Sequence, residues 1–491
     1  LPNSTKHIGW YAFMGNVSLK NVTVDENVSK INECAFRGTK IEKIELSGGR
    51  ADADTSLTIA MDAFSDCNHL ENITGGYRVS EVGWYAFDSC VNLKNMDIGM
   101  GLKKIDDAFE RCRSLRKICL SNKIEDINGG AFSEGACKEF SVEDGSESYK
   151  SIDGCLYKIV DSEKDNLKLM YAANTTDFKY ATPENVTEAD MCAFRGRDNI
   201  KEIDIGGEIE ELSWYSLINC SNLETLKLSS KLKSFDRDMT AYSFDNDLTN
   251  LKNIIVDEGN TEYESYNNEL FEKGKKNLIL LPYGSDSIVI PKETEYICGG
   301  IAKNKFKNIK VEDGNKYFSV NSNVLYNKDI TEIIIFPSYK TTYTLPATLK
   351  EFPSMTYRYT EDYLDIEGET WITRADENLE CVKVAKGNEV YKAVDGVLYL
   401  KNTKQLEYYP PAKKGSYKII EGTKYVNNAA FIYTKYLTSL TVPDSVKSII
   451  ISPKDSESLK EITVPVKCEV IKMTKREGSG VKVYRSLVLK C

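Results

Sequence analysis

The sequence predicts a β-rich α/β solenoid, with coils of about 23 residues, stacked parallel strands and inserted β-hairpin or meander modules. Three observations support this fold. An Ala-Phe pair recurs in register, an apolar triplet spaced L-x-x-I-x-I follows it, and four nine-residue segments share aromatic ends. A period in the twenties is typical of solenoids, whose repeats must stack to bury their apolar residues.

The Ala-Phe pair sets the length of the coil. Its first six copies follow one another at steps of 23, 28, 23, 22 and 23 residues. The alanines of all copies are Ala12, Ala35, Ala63, Ala86, Ala108, Ala131, Ala193 and Ala430. In the preceding Ile-Gly-x-x stretch the glycine favours a tight turn. Trp10, Trp84 and Trp214 share one position of the coil, so we expect Trp10-Tyr11 to be partly buried rather than a ligand anchor.

The apolar triplet predicts a strand with one buried face. Examples are Leu19, Val22 and Val24 in one coil, and alternation of apolar and polar residues marks the solvent-facing positions. Those polar positions carry lysine, glutamate, aspartate, asparagine and threonine but no aromatic residue. Binding hot spots favour Trp, Tyr and Arg, so this sheet is a poor high-affinity site.

The consensus I-G-x-x-A-F-x-x-C-x-x-L-x-x-I-x-I resembles the BspA-type leucine-rich repeat, a family of bacterial cell-surface proteins also found in some protozoa. The pattern fits closely over the first ~130 residues. It recurs near 190–256 and 425–465. The resemblance implies leucine-rich repeat coils, an extracellular location at the cell surface, a role in adhesion or host contact, and no catalytic residues.

A second repeat interrupts the first. The segments 149–157, 263–271, 318–326 and 391–399 each have an aromatic residue at both ends. Their central pairs predict two-residue hairpin turns at 153–154, 267–268, 321–322 and 395–396, because Asp-Gly and Asn tolerate positive φ. A lone hairpin is marginal in water, so we expect the modules to lie against the solenoid.

These patterns predict one continuous solenoid in three parts. Regular coils occupy 1–137, and the part 138–430 carries modules at about 139–180, 254–291, 309–346 and 382–419. Residues 431–491 form C-terminal coils and a cap. The chain begins in mid-coil, from which we expect an export signal removed upstream of Leu1. The sequence contains no run of ~18 apolar residues, so we predict no membrane span.

Composition narrows the classes of function. The net charge of −10 argues against nucleic acid and anionic membranes as partners. Of 13 cysteines, Cys67, Cys90 and Cys112 occupy one repeat position, so we expect buried, reduced thiols in a column. There is no C-x-x-C and there are only two histidines, so we expect no structural zinc and no other metal or cofactor.

No phosphate loop, dinucleotide fingerprint, zinc protease motif or nucleophile elbow is present. We therefore expect a monomeric, non-enzymatic extracellular protein that binds a host extracellular protein or a glycan. The alternatives are a glycan-processing enzyme with a carboxylate pair in the irregular centre, or a display stalk with no ligand. The candidate ligand-binding residues are Tyr357, Tyr359, Tyr363 and Trp371, in the stretch 345–378, where neither repeat is clear. Those aromatics could instead fill the core of irregular coils.

Overall fold

The structure, a computed structural model, is built of β-solenoid turns of roughly 23 residues with stacked parallel strands. It describes residues 4–47, 56–96, 102–175, 178–235, 248–282, 285–298, 306–337, 339–352, 356–359, 364–367, 378–428, 430–431, 434–451, 458–472 and 482–486. The chain divides into two compact units. One is Leu1–Lys273 with Leu281–Tyr283, and the other is Gly274–Leu280 with Gly284–Cys491. The expectation of one continuous solenoid stays a prediction.

In the first unit each regular coil contributes one strand to each of two parallel sheets. The short-strand sheet contains His7–Ile8, Lys30–Ile31, Leu57–Ile59, Val79–Val82, Lys104–Ile105 and Asp126–Ile127. The triplet strands, named after the apolar triplet, form three groups: Asn21–Val24, Lys43–Leu46, Asn72–Thr74 and Asn95–Met96; Lys117–Leu120 and Glu139–Val142; Phe178–Ala181, Ile200–Ile205, Thr225–Leu228 and Asn253–Val256. Equivalent residues of neighbouring strands lie opposite one another, and Val22, for example, lies opposite Ile44. The apolar positions of these strands therefore face the same core.

The phenylalanines of the Ala-Phe pairs form a column through this core. The six rings from Phe13 to Phe132 stack on their neighbours with centroids 5.0–5.6 Å apart and planes within 9°. This spacing is close to the separation of neighbouring strands, so one ring per coil fills the core. Each repeat of the sequence therefore adds one phenylalanine ring to the core.

The repeat-locked cysteines add a ladder of thiol hydrogen bonds to this core. The Sγ atoms of Cys67, Cys90 and Cys112 are buried and unbridged, and each donates to the carbonyl of the Ala-Phe phenylalanine one coil earlier, at 3.1–3.3 Å. Cys220 does the same to Phe194 at 3.0 Å. The predicted column of buried thiols is confirmed, and its members are hydrogen-bond donors as well as small core residues.

The tight turn of the coil begins at the predicted glycine, but its positive φ lies two residues later. Gly9 has an ordinary negative φ, whereas Tyr11 has φ 56° and Tyr85 has φ 55°. The Ala12 N–H donates to the Gly9 carbonyl at 3.4 Å, which makes Trp10 and Tyr11 the two central residues of a β-turn. Positive φ at the second central residue is typical of type II turns. Gly9 is therefore the first residue of this turn, and the positive φ falls on Tyr11 rather than on the glycine.

The inserted modules of the first unit are antiparallel hairpins, as predicted. The first contains Tyr149–Ile152, Cys155–Asp161 and Asn166–Tyr171, and the last of these pairs in parallel with Val186–Ala189. The second contains Tyr263–Tyr266 and Glu269–Glu272. Their turns lie at 153–154 and 267–268, where all four residues have positive φ. The remaining elements are Glu211–Leu212, Ser234–Phe235 and a short 3-10 helix, Trp214–Leu217.

The second unit repeats the same plan. Its strands are Asn277–Leu280, Ser287–Ile290, Tyr296–Ile297, Asn308–Val311, Phe318–Asn321, Val324–Asn327, Ile333–Ile335, Thr342–Leu345, Thr356–Tyr359, Leu364–Glu367, Cys381–Val384, Tyr391–Val394, Val397–Leu400, Gln405–Tyr408, Gly415–Lys418, Tyr425–Val426, Leu437–Thr441, Ser448–Ile451, Glu461–Pro465, Glu469–Lys472 and Lys482–Ser486. The turn at 395–396 is confirmed. The turn predicted at 321–322 lies instead at Ser322-Asn323, because Asn321 pairs with Val324 and the two residues between them have positive φ.

The first aromatic residue of a module attaches it to the coil before it. In the first unit the hydroxyl of Tyr149 accepts the Ile127 N–H at 2.9 Å, and that of Tyr263 accepts the Phe235 N–H at 2.8 Å. In the second unit Tyr391 accepts the Phe352 N–H in the same way. These bonds satisfy buried backbone donors at the coil ends. The modules therefore lie against the solenoid, as expected.

Candidate interaction surface

The predicted ligand-binding residues fall almost entirely outside the described residues. Tyr357 and Tyr359 lie on strand Thr356–Tyr359, which pairs antiparallel with Leu364–Glu367. Their side chains, and the whole of Tyr363 and Trp371, lie outside the described part of the chain. Their role as ligand contacts stays a prediction.

The solvent face of the triplet strands is occupied by charge pairs between neighbouring coils. Lys20 reaches Glu42 at 2.6 Å, Lys94 reaches Glu71 at 3.1 Å, and Lys117 reaches Glu139 at 2.6 Å. All six side chains are about half exposed, and such pairs contribute roughly 0–1 kcal/mol each. The charged side chains of this face are thus paired with one another, which is consistent with the prediction that the face is a poor binding surface.

Aromatic residues are exposed at the turn corners instead. We name Met61, Trp84 and Tyr85 the turn edge; their exposures are 47%, 45% and 37%. The Asp62 N–H donates to the Trp84 carbonyl at 2.9 Å, so Met61 and Trp84 lie on adjacent coils. The Trp84 and Tyr85 rings meet edge to face at 6.2 Å. Three large side chains thus meet on one solvent-facing edge.

The expected partial burial of Trp10-Tyr11 is wrong. Trp10 is 69% exposed and Tyr11 is 60% exposed, because the centre of a β-turn directs its side chains away from the coil. Trp214 is the exception at 7%. There the chain forms the 3-10 helix instead of the turn, and the indole packs against the Phe235 ring at 5.8 Å.

Ion pairs flank the turn edge. Arg37 lies 3.6 Å from Asp62 and 3.4 Å from Asp66. On the other side Arg111 donates to Asp88 at 2.7 Å. Burial, followed by the charge of Asp107, raises the pKa of the Tyr85 phenol. Tyr85 is therefore neutral at physiological pH and can both donate and accept a hydrogen bond at the edge of an apolar patch.

Four tyrosines of the modules are committed to packing. Tyr326 and Tyr343 are buried and share a hydroxyl hydrogen bond of 2.7 Å, and Tyr399 and Tyr417 share one of 2.6 Å. Burial raises the pKa of Tyr326 to about 12. These phenols stabilise the junction of module and coil and are not accessible to a ligand.

Sequence reasoning missed the turn edge, although a signal for it existed. The residue directly before Ala-Phe is a tyrosine in some coils, as at Tyr85, and an aspartate in others, as at Asp62 and Asp107. A core position tolerates no such exchange. That variability within one chain indicates an exposed position.

The comparisons with known proteins identify the type of repeat. A family model described as "BspA type Leucine rich repeat region" matches in six copies at residues 1–55, 52–158, 171–277 and 413–475, more than half of the chain. No curated protein matches the chain.

Solved structures of bacterial leucine-rich repeat proteins are similar at low identity. A leucine-rich repeat protein from Eubacterium ventriosum is 14% identical over 84% of this chain and 85% of its own, with a TM-score of 0.34. One from Bacteroides ovatus is 12% identical over 95% and 87%, with a TM-score of 0.31. A leucine rich cell surface protein from Faecalibacterium prausnitzii is 13% identical over 93% and 88%, with a TM-score of 0.25.

Proposed function

Because the chain belongs to the BspA-type leucine-rich repeat family, we propose that it is a non-enzymatic recognition protein of the cell surface that binds an extracellular protein. The observation that carries the proposal is the turn edge of Met61, Trp84 and Tyr85. The membership supports an extracellular location, since the family comprises cell-surface proteins. No helix within the described residues is both long enough and apolar enough to cross a membrane.

The chemistry of the turn edge favours a protein partner. Aromatic residues, methionine and arginine are enriched in the cores of protein interfaces, and lysine and glutamate are depleted there. The turn edge has two aromatics and a methionine, with Arg37 and Arg111 beside it. The triplet strands show the opposite composition. A partner that covers the turn edge would bury apolar surface without breaking the charge pairs of the sheet.

An array of purified extracellular proteins, probed beside a glycan array, tests the proposal. We expect saturable binding to a protein, weakened about 30-fold or more by Trp84→Ala with Met61→Ala, since central anchors contribute about 2 kcal/mol. Tyr85 is left in place so that the residue with positive φ in the turn, 55°, is unchanged. Charge reversals at Lys94 and Lys201 on the triplet strands are the matched controls.

The outcomes separate the candidate surfaces. Equal loss with the control reversals would move the site to the triplet strands and contradict the proposal. Alanine at Tyr357, Tyr359, Tyr363 and Trp371, assayed in parallel, tests whether the irregular stretch contributes. Binding to glycans alone would replace the protein partner by a carbohydrate, and turnover of a glycan or peptide by the pure chain would contradict the non-enzymatic role. Sedimentation of the pure chain checks the proposed monomer.

A further inference from the structure

A notch opens where two coils of the first unit depart from the repeat. Its cavity volume is about 460 Å³, within the range of small-molecule sites. It is lined by Arg113, Arg116, Glu134, Gly135, Ala136, Gly196, Asp198, Asn199, Asn219 and Ser221. The position that holds Cys90 and Cys112 in the regular coils holds Gly135 in one coil and Arg197 in the next. A missing side chain at Gly135 leaves the space.

The two arginines at the rim are free of carboxylates. Within the described residues Arg113 has no ion pair or side-chain hydrogen bond, and Arg116 donates only to the Ala136 carbonyl, at 3.5 Å. The neighbouring Lys94 and Lys117 are both paired with glutamates of adjacent coils. Two exposed guanidinium groups on one wall of a cavity therefore present forked donors with no protein acceptor.

A third arginine, Arg197, lies beneath Gly135 and the cavity. Arg197 is completely buried, and its guanidinium donates to the carbonyls of Ala172, Phe132 and Gly135 at 2.7–3.4 Å. No carboxylate among the described residues lies within ion-pair distance of it. A buried cation without a counter-ion makes the space above it positive, since the interior screens charge weakly.

Arg197 also changes the backbone hydrogen bonds around Gly135. In regular coils the N–H of the cysteine donates to the phenylalanine carbonyl of its own coil, as Cys112 does to Phe109 at 3.3 Å. Near Gly135 the corresponding carbonyl, that of Phe132, accepts hydrogen bonds from the Arg197 guanidinium instead. In the described part of the chain the N–H groups of Gly135 and Ala136 donate to no protein atom.

The orientation of one of these donors follows from the peptide geometry. The Gly135 carbonyl accepts from the buried guanidinium of Arg197 at 3.2 Å. In a trans peptide the following N–H points the opposite way, so the Ala136 N–H points away from the core and toward the notch. Unpaired backbone N–H groups beside cationic side chains are typical of anion-binding sites.

The carboxylates of the lining are already committed. Glu134 accepts from Arg195 at 2.6 Å, and that arginine also lies 3.5 Å from Glu110. Asp198 accepts from the Asn174 amide at 2.9 Å. The side chains of Asn199, Asn219 and Ser221 add neutral polar groups to the far wall.

We propose that the notch binds an anionic sugar, whose phosphate or carboxylate lies against Arg113, Arg116 and the Ala136 N–H. The cavity is larger than an inorganic oxyanion needs, and the polar far wall suits sugar hydroxyls. This site is separate from the turn edge in residues and in chemistry, so each can fail without the other.

Titration calorimetry with four probes tests the site on the full chain: glucose 6-phosphate, glucuronate, inorganic phosphate and glucose. We expect at least one of the two acidic sugars to bind saturably, more tightly than phosphate, with no binding of glucose. The double variant Arg113→Gln with Arg116→Gln should weaken that binding about tenfold or more, because it removes charge-assisted hydrogen bonds. Replacement of both by lysine should give an intermediate loss, since the charge remains but the fork does not.

The matched control is Lys20→Gln with Lys43→Gln, which changes the net charge equally at exposed positions of the first two coils, away from the notch. The amide resonance of Ala136 should shift on binding and give a readout at the site itself. Failure of both acidic sugars to bind would overturn the proposal, as would equal binding by the glutamine double variant. Phosphate binding as tightly as the acidic sugars would overturn the sugar part, and equal binding of glucose would overturn the role of charge.

Discussion

A buried carboxylate in the second module should make the stability of the first unit depend on pH. Glu269 is the first residue after the hairpin turn, the position that Cys155, Val324 and Val397 occupy in the other modules. It is 7% exposed, and its buried Oε2 has no hydrogen-bond partner within the described residues. Burial raises the pKa of Glu269 from 4.5 to about 7.

The sign and size of the effect follow from this pKa. The folded chain holds the proton more tightly than the unfolded chain, so the free energy of unfolding falls as pH rises from 4.5 toward 7. The full difference corresponds to about 3 kcal/mol above pH 7. Glu269→Gln removes the charge and keeps the shape. We therefore expect it to be more stable than the parent by about 3 kcal/mol near pH 8 and by less than about 1 kcal/mol near pH 5.

Urea unfolding across this pH range measures the effect, with hydrogen exchange of the hairpin Tyr263–Tyr266 and Glu269–Glu272 as a local readout. Repeat proteins can unfold in parts, so the exchange data assign the change to the module. Glu262→Gln, an exposed glutamate of the same module, is the control and should change stability little at any pH. A stability difference for Glu269→Gln that does not grow between pH 5 and pH 8 would refute the reasoning.

Three further outcomes are expected. Native thiol labelling should modify the exposed Cys119 and spare Cys90 and Cys112, whose pKa values are raised by burial, until the chain unfolds. Gly196→Ala should destabilise the first unit by several kcal/mol in urea, since its φ is 73° and a Cβ would lie 2.3 Å from the backbone of the neighbouring coil. Asn315→Ala should lower the thermal midpoint of the second unit, because the amide donates to two buried carbonyls and its oxygen accepts two N–H groups; a loss of about 2 kcal/mol or more is expected.

The parts of the fold that follow the repeat could be predicted from the sequence. The Phe13–Phe36 stack and the buried thiols each arise from one residue at a fixed position, and stacking converts the period into a column. Three of the four hairpin turns were predicted from Asp-Gly and Asn-Asn pairs. The fourth was misplaced by one residue because in Asn-Ser-Asn the composition alone does not choose which pair takes positive φ.

The buried polar contacts could not be predicted in the same way. Asn315 follows a glycine in a loop, and the two hydrogen bonds that its amide donates form only because the preceding coil brings the carbonyls of Pro291 and Thr294 beside it. Asn260 and Asn388 make the same set of contacts in their own modules. One asparagine in each of these three modules is visible in the sequence, but the carbonyls that accept from its amide lie 21–42 residues away. Such contacts require the register of the coils to be known first.

The notch arises at a departure from the repeat, and the reason is physical. In a regular coil the side chains contact the neighbouring coils: phenylalanine stacks on phenylalanine, the thiol donates to a carbonyl, and lysine pairs with glutamate. At the notch the thiol donor is replaced by Arg197, which takes the same phenylalanine carbonyl that a cysteine would have used. The guanidinium also donates to the carbonyl of Gly135, so the two substitutions are in direct contact. Together they leave a buried positive charge and unpaired N–H groups, which the rest of the coil cannot satisfy and a ligand can.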